Sequence, residues 1–184
     1  MNSVLKIAAI VAAIVAALLV ASAFVLLSAN WNLDPAYSIR FKGTKAEGTF
    51  SGLTGLVVFD PANLAAAKME VQVAAATIKT GNKIKDGHAR GESWFDVARY
   101  PEIRFYSTSF SRVGAAGYSV NGDLTMHGIK KPVVIPFQFT QQAGKGLFTG
   151  KFRVNRKDFG INGNFFGFTV GDEFDVELRV PVAR

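Results

Sequence analysis

The stretch EFDVELRV, residues 173–180, indicates the fold class because its apolar and charged side chains alternate without a break. Phe174, Val176, Leu178 and Val180 fall on one side of an extended chain, and the residues between them are all charged. A period of two is typical of a β-strand with one dry face and one wet face. The same test predicts strands at 37–41, 56–59, 68–73, 102–107, 118–126, 133–139 and 151–154.

One segment, residues 82–99, breaks this period, because its apolar residues are sparse until Trp94 and Phe95. It is predicted to form a short helix, a loop and a second helical turn with Asp96 as N-cap, ended by Pro101. Eight strands joined mostly by short turns predict an all-β antiparallel barrel or sandwich. The helical insertion is expected to lie across one end of it.

The composition excludes several classes of function. Of 184 residues, 49% are hydrophobic and 16 are Phe, which is enough for a full core or an apolar cavity. The absence of Cys excludes a thiolate metal site, a cysteine nucleophile and a disulfide framework. The net charge of +7 is spread without a basic run, so no nucleic-acid partner is predicted.

The N-terminal segment carries no charge from Ile7 to Leu33 and is long enough to cross a bilayer. Residues 1–29 are therefore predicted to be a signal peptide or a transmembrane anchor, and the two alternatives stay open. Both place residues 30–184 in the periplasm or otherwise outside the cytoplasm. An uncleaved helix over residues 4–29 would hold the domain at the cytoplasmic membrane, where a membrane surface is an expected partner.

Five motifs in the same order resemble the YceI-like family, also described as polyisoprenoid-binding, lipid-binding lipocalin-like proteins. The resemblance extends over nearly all of residues 31–182. The motifs are WNLDPAYSIRF (31–41), KDGHARGESWFDVARYPEIRF (85–105), VNGDLTMHGIKKPVVIPF (120–137), RKDFGING (156–163) and VGDEFDVELRV (170–180). One departure is Tyr37, where many members have His, so a ligand contact by that His is not carried over.

The resemblance implies an eight-stranded antiparallel lipocalin-like barrel with a helical insertion, in an exported protein that holds an isoprenoid chain. The bound lipid is then the only ligand, and no cofactor is expected. The apolar phase of the strands predicts an inward set that would contact this ligand: Ile39, Phe41, Val58, Met69, Val71, Ile103, Phe105, Leu124, Phe137, Phe139, Phe152, Val154, Phe174 and Val176. From periodicity alone, the same residues could form the packed core of a solid barrel.

A lid or mouth is predicted from the insertion and from NFFGF, residues 164–168, where three Phe interrupt the alternation. Its predicted members are Asp86, His88, Trp94, Phe95, Phe165, Phe166 and Phe168. For NFFGF, an aromatic lip that meets lipid and a loop that plugs one barrel end are both open interpretations.

Catalytic and metal-binding interpretations concern Asp86 and His88, with Glu92 and Asp96 nearby. A protein metal site needs about three ligands, and helix positions i and i+2 face different sides, so no metal is predicted. Clustered carboxylates on a surface insertion are more often solvated or capping groups, so no catalytic residue is predicted. The trio 156–158 (Arg, Lys, Asp) is interpreted as charge pairing at a strand end.

The leading hypothesis is an exported binding protein, not an enzyme, that sequesters or carries a polyprenyl lipid or isoprenoid quinone. One alternative is a lipid-modifying enzyme that uses Asp86 and His88 at the barrel mouth. The other is a quinone or stress accessory module for a membrane cytochrome. Whether the protein forms a homodimer is left open.

Overall fold

The computed structural model describes residues 29–164 and 170–184. The predicted signal peptide or anchor, residues 1–29, lies outside this part of the chain except for Ala29. Within the described ranges, no helix combines the length and apolar character needed to cross a membrane.

Ten strands and one α-helix follow one another along the described chain. The helix, α1, spans Lys83–Arg90, and short 3₁₀ turns occur at Leu64–Ala66, Ala75–Thr77 and Arg156–Phe159. The strands are β1 Asn30–Leu33, β2 Ser38–Gly43, β3 Ala46–Phe50, β4 Thr54–Val58, β5 Lys68–Ala74, β6 Glu102–Val113, β7 Gly117–Met126, β8 Ile129–Gln142, β9 Lys145–Asn155 and β10 Glu173–Ala183.

The ten strands close into an eight-stranded antiparallel barrel, because four of them are halves of two interrupted strands. β10 pairs with β9 along its whole length, while its other edge is shared by β2 and β1. β3 pairs with β2, and β4 lies beside β1, so β3 and β4 form the second interrupted strand. The predicted eight-stranded barrel with a helical insertion is confirmed. The sequence patterns did not predict β1 and β3.

One end of the barrel is filled by aromatic side chains packed around Phe59, which is 0% exposed. Their ring centroids lie 5.0 to 6.0 Å from that of Phe59, mostly in edge-to-face arrangements that aromatic quadrupoles favour. The Trp31 indole N–H donates to the Phe59 carbonyl at 2.9 Å. This cluster, called the aromatic floor below, comprises Trp31, Phe59, Phe110, Tyr118, Phe137, Phe139 and Phe148.

The helical insertion follows β5 and precedes β6 at the opposite end, which is called the mouth. α1 begins because the Asn82 side chain accepts hydrogen bonds from the amides of Ile84 and Lys85 at 2.9 and 3.1 Å. The predicted turn that starts at Asp96 is present, since its carbonyl accepts from the Tyr100 amide at 2.8 Å. The predicted N-cap role of Asp96 is wrong, because its φ of 42° is left-handed, whereas an N-cap is extended.

Candidate ligand cavity

A cavity of about 900 Å³ occupies the barrel between the aromatic floor and the mouth. Its volume falls near the upper end of the range for small-molecule sites in proteins, roughly 300–1,000 Å³. The barrel is therefore packed at one end and hollow above it. The solid-core interpretation therefore describes one end of the barrel, and the ligand-lumen interpretation of the hollow part remains a prediction.

The cavity wall consists of the apolar faces of the strands. Successive strand residues point to opposite faces, so one dry face on each of eight strands gives a continuous apolar lining. Twelve of the fourteen predicted inward residues lie on this wall: Ile39, Phe41, Met69, Val71, Ile103, Phe105, Leu124, Phe137, Phe152, Val154, Phe174 and Val176. Their contact with a ligand remains a prediction.

Two predicted residues lie elsewhere. On β4 the wall residue is Val57, which is 4% exposed, and Val58 follows it on the other face. The stretch LVVF is apolar throughout, so it gives no polar residue to set the phase, and a shift of one residue exchanges the faces. Phe139 belongs to the aromatic floor, with its ring 4.4 Å from Phe148 and 5.0 Å from Phe59.

The sequence patterns also left out several wall residues. Val73, Leu178 and Val180 share the alternating phase of predicted neighbours and could have been found by extending it. Phe50 and Leu53 lie at the break between β3 and β4, where no alternation marks them. The omitted apolar wall residues include Leu33, Phe50, Leu53, Val57, Val73, Ile78, Val120, Met126, Ile135, Phe148, Leu178 and Val180.

At the mouth, the cavity is bordered by one face of α1 and by the turn between β2 and β3. Lys85, His88 and Ala89 have the i, i+3, i+4 spacing that places side chains on one helix face, and all three border the cavity. Lys45, in the β2–β3 turn, borders it from the other side. A pair of backbone hydrogen bonds between Thr49 and residue 79, at 2.8 and 3.0 Å, joins β3 to the segment that leads into α1.

Asp86 lies outside the cavity lining and holds the start of α1 in place. One of its carboxylate oxygens, Oδ1, accepts from the Thr80 amide at 2.6 Å and from the Thr80 hydroxyl at 2.7 Å. These two hydrogen bonds, first that from the amide, lower the pKa of Asp86, with smaller contributions from Arg90 and Lys79. A carboxylate engaged in this way is a structural anchor, which disfavours its use as an acid or base at the mouth.

Trp94 and Phe95, also predicted at the mouth, both border the cavity. Phe95 packs edge-to-face on Phe50 with centroids 5.5 Å apart. The guanidinium of Arg156 lies 5.1 Å from the centre of the Trp94 ring. The remaining predicted mouth residues, Phe165, Phe166 and Phe168, lie outside the described residues.

Arg156 is buried, at 4% exposure, and organises the connection between β9 and β10. Its guanidinium donates to the carbonyls of residues 161, 163, 170 and 171 at 2.8 to 3.2 Å and to the Asp172 carboxylate at 3.1 Å. The interpretation of residues 156–158 as strand-end charge pairing therefore holds for Lys157, which contacts Asp172 at 2.8 Å, and for Arg156, which pairs with the same carboxylate at 3.1 Å and also donates to four backbone carbonyls. The pKa of Asp172 is lowered, chiefly by its hydrogen bond from Lys157.

Among the residues that the structure describes, no three His, Asp or Glu side chains lie close enough together to form a metal site. What the arrangement offers chemically is a long apolar chamber with charged groups confined to its mouth.

The YceI-like domain matches residues 31–182, which is most of the chain. The chain belongs to the YceI-like family. The match includes all the strands except the outermost residues of β1 and β10.

Curated relatives are proteins named UPF0312. The one from Pseudomonas savastanoi pv. phaseolicola is 36% identical over 122 residues, 63% of this chain and 64% of the relative. The one from Yersinia pestis is 34% identical over 120 residues, 62% of each chain. The matched part thus spans somewhat less than two thirds of these relatives. A Pseudomonas putida relative is 32% identical over 158 residues, 75% of this chain and 82% of its own.

Solved structures share the YceI-like fold. Burkholderia cenocepacia BcnA is 26% identical with a TM-score of 0.76, over 82% of this chain and 99% of that one. A polyisoprenoid binding domain from Saccharophagus degradans, implicated in plant cell wall breakdown, is 14% identical with a TM-score of 0.65, over 84% of this chain and 98% of its own. At that identity, the second likeness shows the fold alone.

Proposed function

We propose that this protein binds the long chain of an isoprenoid lipid inside its barrel and thereby sequesters or carries it. The observation that supports this most directly is the apolar cavity of about 900 Å³, open above a packed floor. The polyisoprenoid binding domain among the solved structures of the same fold adds support from outside the chain.

The size of the cavity fits a long chain. At about 30 Å³ per non-hydrogen atom, which is a water molecule's share of liquid volume, the cavity has room for roughly 30 such atoms. Each methylene taken out of water contributes about 0.8 kcal/mol, so ten buried carbons give roughly 8 kcal/mol before the cost of ordering the chain. Affinity of this origin needs no ionic contact deep in the barrel.

A binding role without catalysis is part of the proposal. The enzyme alternative required Asp86 and His88 to act together on a lipid, and the Asp86 carboxylate is instead occupied by Thr80. The apolar wall would accept the tail of an isoprenoid quinone and that of a polyprenyl lipid equally.

The test compares two neighbouring residues on β8. Ile135 faces the cavity and Val134, 58% exposed, faces solvent. Ile135→Trp fills the cavity, whereas Val134→Trp adds the same ring outside and serves as the matched control. Native mass spectrometry and lipid extraction of the purified proteins are expected to show a prenyl lipid in the parent and in V134W, and little in I135W. Equal lipid in both variants, or none in the parent, would contradict the proposal.

Export and action beside a membrane are further parts of the proposal, supported by the uncharged run from Ile7 to Leu33. Fractionation of producing cells followed by alkaline extraction of membranes tests them. Protein in the periplasmic fraction indicates a cleaved leader, and protein retained in extracted membranes indicates the anchor. Recovery in the cytoplasm would contradict export.

A further inference from the structure

We infer that residues 76–90, which include α1, form a hinged lid at the mouth of the cavity. The backbone pair between Thr49 and Lys79 is the latch that holds this lid against β3. The inference rests on the proposed function, because it concerns how a lipid chain enters and leaves the barrel. Opening of the latch then sets the rate at which the bound chain exchanges.

The lid covers part of the opening. Ile78 and Thr80 border the cavity, and so does the face of α1 that carries Lys85, His88 and Ala89. A chain that fills the barrel therefore lies beneath this segment, and movement of α1 widens its exit.

Hydrogen bonds inside the lid tie both ends of α1 to the chain that leads into the helix. The Arg90 guanidinium donates to the carbonyls of Ala76 and Ile78 at 2.7 and 3.2 Å. Near the start of the helix, the Asp86 carboxylate accepts from the Thr80 amide at 2.6 Å. These bonds lie within residues 76–90, so the segment is expected to move as one body.

The helix itself buries little apolar surface. All eight residues of α1 are described, and Ala89 is the one that is buried, while Ile84 is 64% exposed. A helix of two turns is marginal in water and depends on packing of an apolar face. Lys85 and His88 also interact with other groups, but both are exposed, and exposed polar contacts stabilise little. Elements of this kind open locally at a small cost in free energy.

The latch is a weak point of the barrel wall. β3 pairs with β2 along its whole length, but its other edge meets the lid in a bridge that lies outside the strands of the described chain. The two amides of this bridge, those of Thr49 and Lys79, donate across it at 2.8 and 3.0 Å. The Ser51 amide adds a hydrogen bond to the Thr77 hydroxyl at 2.9 Å. Backbone bonds in so short a bridge lack the support of a continuing ladder.

The hinge lies at the other end of the lid, where the insertion is held firmly. Trp94 lies against the buried guanidinium of Arg156 at 5.1 Å, and Phe95 packs on Phe50 with centroids 5.5 Å apart. The Phe95 amide donates to the Ala89 carbonyl at 3.0 Å and so ties the end of α1 to this fixed part. The lid can therefore swing about its C-terminal end when the latch is released.

A disulfide across the latch tests the inference, because the chain has no Cys of its own. Directly opposed residues in a hydrogen-bonded antiparallel pair have Cα atoms about 5.5 Å apart, within the range of about 4.4–6.8 Å that a disulfide spans. Thr49→Cys/Lys79→Cys places the bond outside the cavity, since neither residue is among its described lining residues. The matched control, Gln142→Cys/Lys145→Cys, joins an exposed pair of partners at the β8–β9 turn near the floor.

The full chain is loaded with deuterated geranylgeraniol in an uncharged detergent, and replacement by the unlabelled compound is followed by native mass spectrometry. We expect the latch disulfide to slow this exchange at least about tenfold, because the lid can no longer swing open. Reduction of the disulfide is expected to restore the rate of the parent. The control disulfide should leave the rate unchanged in both redox states.

Hydrogen exchange of the unmodified protein is a second readout that needs neither the disulfide nor a ligand. The amides of α1 are expected to exchange at least about a hundredfold faster than those of β7, through local opening of the lid. Equal protection of α1 and β7 would overturn the inference.

The outcomes separate the two proposals. If the parent takes up no geranylgeraniol, the proposed function fails. If the lipid binds but exchanges equally fast with the latch disulfide formed and reduced, lipid binding stands and the lid is overturned. Equal slowing by the control disulfide would also overturn the lid, since the effect would then not depend on the latch.

Discussion

Replacing Arg156 by alanine tests whether this buried side chain holds the mouth together. The substitution removes five hydrogen-bond donations, four to backbone carbonyls and one to Asp172, together with the cation–π contact to Trp94. It leaves carbonyl oxygens in a buried region without a donor.

The size of the effect can be estimated from these contacts. A hydrogen bond to a charged group contributes about 1.5–3 kcal/mol, but five bonds made by one side chain are not additive, since the loop relaxes when they are lost. Breaking a buried charged interaction by removing one partner typically costs about 3–5 kcal/mol. We therefore expect Arg156→Ala to lower the free energy of unfolding by roughly 3–5 kcal/mol, a large part of the stability of an ordinary domain.

The assay is equilibrium unfolding in urea at neutral pH, followed by tryptophan fluorescence, which Trp94 makes sensitive to this region. Lys157→Ala is the matched control, because it removes a neighbouring cation whose side chain is 54% exposed and which contacts the same carboxylate. An exposed pair is worth about 0–1 kcal/mol, so the control should be nearly neutral. Arg156→Lys keeps the charge but not the five donors and should be intermediate. A loss below about 1 kcal/mol in Arg156→Ala would refute the reasoning.

Two further predictions concern the floor and the helix. Trp31→Phe removes the indole donor to the buried Phe59 carbonyl and is expected to cost about 1–3 kcal/mol in urea unfolding; an unchanged midpoint would contradict this. Thr80→Val removes the hydroxyl donor to Asp86 and is expected to raise the pKa of that carboxyl, measured by NMR titration. Because the folded-state pKa of Asp86 is lowered, its contribution to stability is present above the ordinary Asp pKa and is lost as pH falls through the folded value. Thr80→Val should therefore lose less stability than the parent protein as the pH falls through that acid range. An unchanged pKa of Asp86 in the variant would contradict the role assigned to the Thr80 hydroxyl.

The barrel could be predicted from sequence because burial on one face imposes a period of two on each long strand. On β7, Tyr118, Val120, Leu124 and Met126 are buried in strict alternation. The two missed strands lack this signature. β3 is AEGTF, with Phe50 as its only large apolar residue, and β1 is NWNL, only four residues at the end of an uncharged run and too short for its alternation to be recognised.

The sequence predicted those site residues whose position follows from the alternation along one strand. It did not predict those whose position depends on contacts with residues distant in the sequence. Val57 and Val58 are chemically identical, so the choice between them follows from pairing with β5, which the local sequence does not encode. Arg156 looks locally like one member of a charged trio. Its role arises because the carbonyls of residues 161, 163, 170 and 171 lie within reach of its guanidinium, an arrangement that the spacing of residue types does not reveal.

The aromatic floor has a consequence for the range of chain lengths that the barrel can distinguish. If the barrel binds a lipid tail as proposed, a tail inserted from the mouth would advance until it meets the rings around Phe59, and that contact would act as a depth stop. Each added isoprene unit would then strengthen binding while it still contacts the wall, and would contribute nothing once the extra length projects beyond the mouth. Affinity should then rise with chain length to a plateau, so the barrel sets a minimum length for tight binding but no maximum.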